Sequence, residues 1–181
     1  DPRTLYPDNE QTLEAARTKQ RTPPDIALAI MSGTLMGLHA AHEAKSERGE
    51  LLNVIHRDLS PENILVGVDG HPRLLDFGIA RALGRFGSTR EGELKGKIGY
   101  MAPEQVVEGE LTPRTDVYGA SVVLWQTLTG RKLFRGDSVA ELAANILRAP
   151  VLPPSHFVPG LSSDVDAIVL RHPEVGAAER A

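Results

Sequence analysis

The sequence contains no cysteine among its 181 residues. This absence excludes a disulfide framework, a thiolate zinc site and a thiol nucleophile, and it is compatible with the reducing cytoplasm, where we expect the protein to act. No apolar run approaches the roughly eighteen residues that a membrane helix needs, and the start of the chain resembles no signal peptide. The sequence therefore predicts no membrane segment in this chain.

An excess of basic residues is also lacking. Twenty Lys and Arg side chains stand against twenty-four Asp and Glu, which gives a formal net charge of -4. Because no basic tail could neutralise a row of phosphates, the composition argues against a nucleic-acid partner. Apolar residues make up 41% of the chain, which also has 17 Gly and 13 Pro. This composition predicts a folded domain that is rich in loops.

Hydrophobic spacing and capping signals predict a mainly α-helical protein with one small β-hairpin. Two short apolar runs, at 63–66 and 73–75, flank the turn signal Asp69-Gly70 and predict that hairpin. Glycine and a capping box mark two of the helix boundaries, at Gly130 and Ser138. The predicted helices lie at 24–45, at 114–129, from Ser138 to Arg148, and from about Ser163 onward.

The most informative stretch is His56-Arg57-Asp58-Leu59-Ser60-Pro61-Glu62-Asn63. It is followed by Asp76-Phe77-Gly78 and then by Ala102-Pro103-Glu104. In this order and spacing the three motifs resemble the catalytic loop, the metal-binding motif and the end of the activation segment of bacterial-type serine/threonine protein kinases. The resemblance covers about 24–148. It implies the large lobe of the protein-kinase fold, an α+β family fold whose small lobe is missing from this chain.

The resemblance assigns chemical roles to three polar residues. It implies that Asp58 accepts a hydrogen bond from the attacking hydroxyl, that Asp76 bridges metal ions to the phosphates, and that Asn63 holds a second metal ion. ATP and Mg²⁺ are the implied cofactors, because phosphoryl transfer needs hard oxygen ligands for magnesium and neutralisation of phosphate charge. The simpler structural alternative for these residue types is turn formation and capping.

Other residues are implied to support that site. Asp116, at the start of a predicted helix, matches an aspartate that hydrogen-bonds the catalytic-loop backbone, with a simple helix cap as the alternative. Glu104 is implied to pair with an arginine, and Arg171 and Arg180 are both candidates. The implied structural support also includes His56, Phe77 and Gly78.

Regulation is implied by Arg57, because kinases with this arginine are commonly controlled by a phosphate on the activation segment. Ser88 and Thr89 are the candidate phosphorylation sites, and two solvated hydroxyls are the alternative. His39 and His42 lie three residues apart on the first predicted helix and could share a metal. We favour packed histidines there, since no convincing third ligand stands nearby.

The chain departs from the family pattern at two positions. Ser60 stands where most of these kinases carry a lysine that touches the transferred phosphate, and Lys97 stands where they carry a threonine that this lysine contacts. We hypothesise that Lys97 reaches back to place its ammonium near Ser60 and the γ-phosphate, which would restore the missing positive charge. The alternative is a solvated Lys97 in a site that works without this lysine.

A chain that starts at Asp1 is expected to be a piece of a longer protein with its own small lobe upstream. The expected activity is transfer of the ATP γ-phosphate to Ser or Thr of a protein substrate, weak in the fragment alone. The alternative functions are those of a pseudokinase scaffold and of a small-molecule phosphotransferase. The intact motif carboxylates argue against the first, and the Ala-Pro-Glu segment argues against the second.

The resemblance also divides the chain into consecutive parts. These parts are 1–22 after the hinge, the long helix, 54–78 with the catalytic loop and metal motif, 79–104 as activation segment and 105–181 as helical subdomain.

Overall fold

The computed structural model describes residues 22–77 and 96–171. Its longest helix, α1 (Pro24–His42), has proline at its first position, where the missing N–H costs no hydrogen bond. One face of this helix is buried at a spacing of three or four residues, as expected for a helix that packs on a core. The buried residues of α1 are Ala27, Met31, Thr34 and Leu38.

Helix α1 ends three residues before the predicted boundary at Lys45. Instead of continuing, the chain turns back, and Lys45 pairs with Leu51 in an isolated antiparallel bridge. The Ala44 carbonyl accepts a hydrogen bond from the Leu52 amide at 2.9 Å. These partners lie outside the helix, so helical periodicity alone could not place its end.

The predicted hairpin is confirmed. Strands β1 (Ile64–Val66) and β2 (Pro72–Leu74) run antiparallel, and they form the sheet of the described residues. The turn between them contains Gly70 with a φ of 76°, a left-handed conformation that glycine adopts without steric penalty. Just beyond the strands, the Leu75 amide donates to the Asn63 carbonyl at 2.9 Å. The hairpin thereby brings the end of one motif beside the start of the next.

The other predicted helices are confirmed to within one residue. Thr112 caps the central helix by accepting a hydrogen bond from the Arg114 amide, and Gly130 ends it in the left-handed conformation. At 138 the capping box is displaced by one residue, because Ser138 caps the Glu141 amide while the Glu141 carboxylate accepts from the Asp137 amide. A short helix that the sequence did not predict, α2 (Pro103–Val106), precedes the confirmed helices α3 (Pro113–Thr129), α4 (Val139–Arg148) and α5 (Ser163–Val169), and 3₁₀ turns lie at Pro61–Asn63 and Pro154–His156.

Helix α3 is buried on nearly every side because it lies between two hydrophobic clusters. One cluster joins α3 to α1 and α5, and the other joins it to α4 and to residues 98–102. At Gly119 an added Cβ would lie 3.1 Å from the Leu59 Cβ, so the small residue lets α3 approach the segment that contains Asp58. Within 22–77 and 96–171, no helix combines the length and the apolar character needed to cross a bilayer.

Candidate active site

The centre of the candidate site is a buried carboxylate at the first turns of α3. Asp116 is only 1% exposed. Its Oδ2 accepts a hydrogen bond from the His56 amide at 2.8 Å, and its Oδ1 accepts one from the Arg57 amide at 2.8 Å. The positive end of the helix dipole lies at the same end of α3 and favours a negative charge there. Asp116 thus holds the main chain just before Asp58, in agreement with the expectation from the sequence.

Arg57 adopts a left-handed backbone conformation, with a φ of 67°. This conformation is uncommon for a residue with a long side chain, and it persists where surrounding contacts fix it. Its amide donates to Asp116, and its carbonyl accepts from Gln105 Nε2 at 2.7 Å. Because Gln105 Oε1 also accepts from the Ala102 amide at 3.0 Å, the strained turn is joined directly to the Ala-Pro-Glu segment.

His56 is fully buried and links the loop to the hairpin. Its Nδ1 lies 3.3 Å from the Asp58 amide, and its Nε2 lies 2.9 Å from the Leu75 carbonyl. An amide can only donate and a carbonyl can only accept, so the geometry assigns a neutral imidazole with the proton on Nε2. The ring also lies 4.8 Å from the Phe77 ring, which places both supporting residues on one side of the loop.

Asn63 and Lys97 both contact Asp58 beside this framework. The Asn63 Nδ2 donates to the Asp58 carbonyl at 2.6 Å and lies 3.4 Å from Asp58 Oδ2. The Lys97 ammonium donates to the same Oδ2 at 2.8 Å. Lys97 therefore reaches back toward the catalytic loop as hypothesised, but the group that it contacts is the Asp58 carboxylate rather than Ser60.

The oxygen donors expected to hold magnesium suit that ion chemically. Asp76 is exposed in a left-handed conformation, with a φ of 48°. Its carboxylate makes no ion pair with any other described residue. The Asn63 amide nitrogen is already engaged by Asp58, which leaves Oδ1 as the atom for a metal ion. A carboxylate and an amide oxygen are hard ligands of the kind that Mg²⁺ prefers, so Asp76 and Asn63 fit the implied role.

Glu104 has a partner in the structure that the sequence did not predict. Its Oε1 accepts a hydrogen bond from the Thr115 hydroxyl at 2.6 Å. Across the described residues it forms no ion pair with Arg171. The other candidate, Arg180, lies outside the described residues. Three further predicted residues also lie outside them, namely Gly78, Ser88 and Thr89.

Residues 5–166 match the family described as the protein kinase domain, which covers most of the chain. The chain belongs to the protein kinase family. The helices and single hairpin described above are the large lobe of a kinase domain, as the sequence predicted.

Curated relatives agree with this family. The kinase is 37% identical over 157 residues to tyrosine-protein kinase MasK of Myxococcus xanthus, and 38% identical over 147 residues to serine/threonine-protein kinase PknL of Mycobacterium tuberculosis. It is 32% identical over 168 residues to serine/threonine-protein kinase PknB of the same organism. The alignments cover 87%, 81% and 92% of this chain but only 24%, 35% and 26% of those proteins. The chain thus spans about a quarter to a third of their length.

Sequence reasoning missed two residues of the kinase framework. His42 Nε2 lies 2.7 Å from Asp116 Oδ2, so this histidine of α1 is a third partner of the buried carboxylate. Gln105, described above, joins Arg57 to the Ala-Pro-Glu segment. The sequence predicts His42 as a packed residue. It does not identify the partner, Asp116, which lies 74 positions away along the chain. His39, in contrast, is exposed.

Two tyrosines near the kinase site are strongly weakened as acids. Burial, together with the negative charge of Glu62, raises the pKa of Tyr100 to about 12. Burial and the charge of Glu104 raise the pKa of Tyr118 further above its usual range. Both phenols therefore stay neutral at physiological pH and serve as packing and hydrogen-bonding groups.

Proposed function

We propose that this chain provides the catalytic loop of a kinase that transfers the γ-phosphate of ATP to Ser or Thr hydroxyls of a protein substrate. The observation that carries the proposal is the placement of Asp58. Its side chain is 15% exposed, while the main chain before it is held by the buried Asp116. The carboxylate thus has access to a substrate hydroxyl without freedom to leave its position.

The chemistry follows from the groups that surround this carboxylate. Bound ATP with Mg²⁺ supplies the phosphoryl group and neutralises much of its negative charge. The substrate hydroxyl oxygen forms a bond to the γ-phosphorus while the bond to the bridging oxygen of ADP breaks, and Asp58 accepts the hydroxyl proton. Asn63 restrains Asp58 by donating to its carbonyl, which leaves the Asn63 Oδ1 available for a metal ion. Asp76 adds a second oxygen donor to the nucleotide site.

The choice of Ser or Thr rests on the loop and on two of the relatives. Pro61 follows Ser60, and the arginine that tyrosine kinases place in this loop is absent. PknL and PknB are named as serine/threonine kinases, which supports the same acceptors. MasK is named as a tyrosine kinase, so tyrosine is the second candidate acceptor and has to be tested directly.

The test uses the complete reading frame that encodes this chain. With ATP labelled at the γ-phosphate and a generic protein substrate, we expect label on phosphoserine and phosphothreonine. Asp58→Asn is expected to lower the rate about 10²- to 10⁴-fold, the usual contribution of a positioned acid–base group.

The exposed Asp164 of α5 provides a matched control, because Asp164→Asn removes a carboxylate far from the motifs and should leave the rate unchanged. Label on phosphotyrosine alone would replace the proposed acceptor. A folded protein that binds ATP but transfers nothing would favour the pseudokinase scaffold, and partner binding would then be the activity to measure.

A further inference from the structure

The base of the proposed reaction is paired with a lysine from another segment of the chain. Lys97 Nζ lies 2.8 Å from Asp58 Oδ2, and the two side chains are 35% and 15% exposed. An ammonium has three N–H donors, and in the described residues Lys97 uses one of them, on Asp58. Two donors therefore remain for a group that enters the site beside Asp58.

The main chain presents Lys97 from a fixed position. Residues 96–98 are helical. The amide of Tyr100, three residues after Lys97, donates to the Lys97 carbonyl at 3.1 Å. The neighbouring Ile98 is buried in the cluster that includes α4. An ammonium held on an anchored backbone can act as a preorganised charge, which is worth more than a freely moving one.

A second, independent observation concerns Ser60, two residues beyond Asp58. Ser60 is 2% exposed, and its hydroxyl oxygen has no hydrogen-bond partner in the described part of the chain. Leaving a buried hydroxyl unsatisfied costs about 1–3 kcal/mol, so such a group in a native fold calls for a partner such as a ligand, an ion or a water molecule. The hydroxyl is thus an unused hydrogen-bonding group two residues along the chain from the base.

We propose that Lys97 supplies the positive charge that binds the transferred phosphate, in place of a catalytic-loop lysine, with the buried Ser60 hydroxyl as part of the same phosphate-binding pair. The proposal rests on the proposed function and names a binding role within it. In the absence of nucleotide, Lys97 neutralises Asp58. When the γ-phosphate enters, the stronger anion competes for the ammonium and frees the Asp58 oxygen for the substrate hydroxyl.

The first experiment measures nucleotide binding, which does not require catalysis. Isothermal titration with Mg²⁺ compares a non-hydrolysable ATP analogue, which has a γ-phosphate, with ADP, which lacks it. Lys97→Met is expected to weaken the analogue about tenfold and to leave ADP unchanged. Lys97→Arg keeps the charge and should retain most of the affinity. Equal affinities of Lys97→Met and wild type for the analogue would overturn the proposal.

Two exposed lysines outside the motifs provide matched controls for charge. Lys45 lies beyond α1 and Lys132 lies beyond α3, and both are exposed. Lys45→Met and Lys132→Met should bind the analogue as wild type does. If they weaken it as much as Lys97→Met, the effect is one of overall charge and the specific contact is refuted.

The second experiment measures turnover and separates a helpful contact from a blocking one. If Lys97 binds phosphate, Lys97→Met lowers kcat about 10²-fold, the scale of one lost electrostatic contact in a transition state. If the ion pair only blocks Asp58, the same substitution raises kcat, and the proposal fails. A wild-type protein that binds the analogue through Lys97 but transfers nothing would refute the proposed function alone.

The third experiment tests whether Ser60 and Lys97 act as one unit. In a double-mutant cycle, Ser60→Ala should weaken the analogue in the wild-type background and have no further effect in Lys97→Met. Moving the charge, with Ser60→Lys in a Lys97→Thr background, should recover at least tenfold of the loss caused by Lys97→Thr. Additive effects in the cycle would show that the two residues act separately, whether or not the relocated lysine fits.

Discussion

Asp116 and Asp69 are the same residue type in opposite surroundings. Asp116 is 1% exposed and joins two helices to the catalytic loop through partners as distant as 74 residues along the chain. The Asp69 side chain is 45% exposed and pairs with Arg73, four residues away, within the hairpin turn. Asp116 is therefore the carboxylate that organises this kinase lobe, because its partners are distant along the chain and shielded from water. At the exposed Asp69, water competes with the ion pair.

Replacement of Asp116 should lower the free energy of unfolding strongly. Asp116→Ala leaves the buried amides of His56 and Arg57 without an acceptor, which should cost about 3–5 kcal/mol. Chemical denaturation of the wild type and the variant measures the difference. Asp69→Ala is the matched control, and we expect its denaturation midpoint to equal that of the wild type. Similar losses for the two variants would remove the distinction between the carboxylates.

A smaller effect is expected from His42, whose partner the sequence did not reveal. His42 is nearly buried and contacts Asp116 at 2.7 Å, so His42→Ala should cost about 1–3 kcal/mol through the lost partner of a buried charge. His39→Ala, one helical turn earlier on the exposed side of α1, should be neutral. Equal denaturation midpoints for the two alanine variants would mean that the His42 contact contributes nothing to stability.

Local signals explain why most of the fold could be predicted. The ends of α3 and α4 were set by capping residues such as Gly130 and Ser138, whose effect lies within a few positions of the helix end. The end of α1 was missed because it depends on the pairing of Lys45 with Leu51, which requires the chain to fold back. Helix periodicity carries no information about such a return.

The same division holds for the candidate site. The motif positions of Asp58, Asn63 and Asp116 could be read from the sequence, because each motif has a fixed order of polar residues. Several side-chain partners across the fold could not be read in this way. Lys97 was expected near Ser60 but contacts Asp58, and the contact of Glu104 with Thr115 was not foreseen. Tertiary packing chooses among several nearby polar groups, and spacing does not record that choice.

At the exposed Asp69 we expect the smallest effect, which concerns the pKa of its own carboxyl group. The hydrogen bond from Arg73 and the backbone bond from His71 hold the pKa of Asp69 at about 2, below the ordinary 3.8. A lowered pKa in the folded state means that the pairing stabilises the fold above pH 4 and that this stabilisation is lost as pH falls toward 2. An NMR titration of the carboxyl carbon should give the low value, and Arg73→Met should raise it toward 3.8.

The Arg73→Met result decides what the hairpin pair is. If the pKa of Asp69 rises, the ion pair exists in solution, yet the solvent around this exposed carboxyl keeps its effect on the denaturation midpoint below detection. If the pKa stays near 2, the backbone bond from His71 holds the carboxylate and the Arg73 contact contributes nothing. In either case the turn depends on groups within four residues of Asp69, whereas Asp116 depends on partners from the whole lobe.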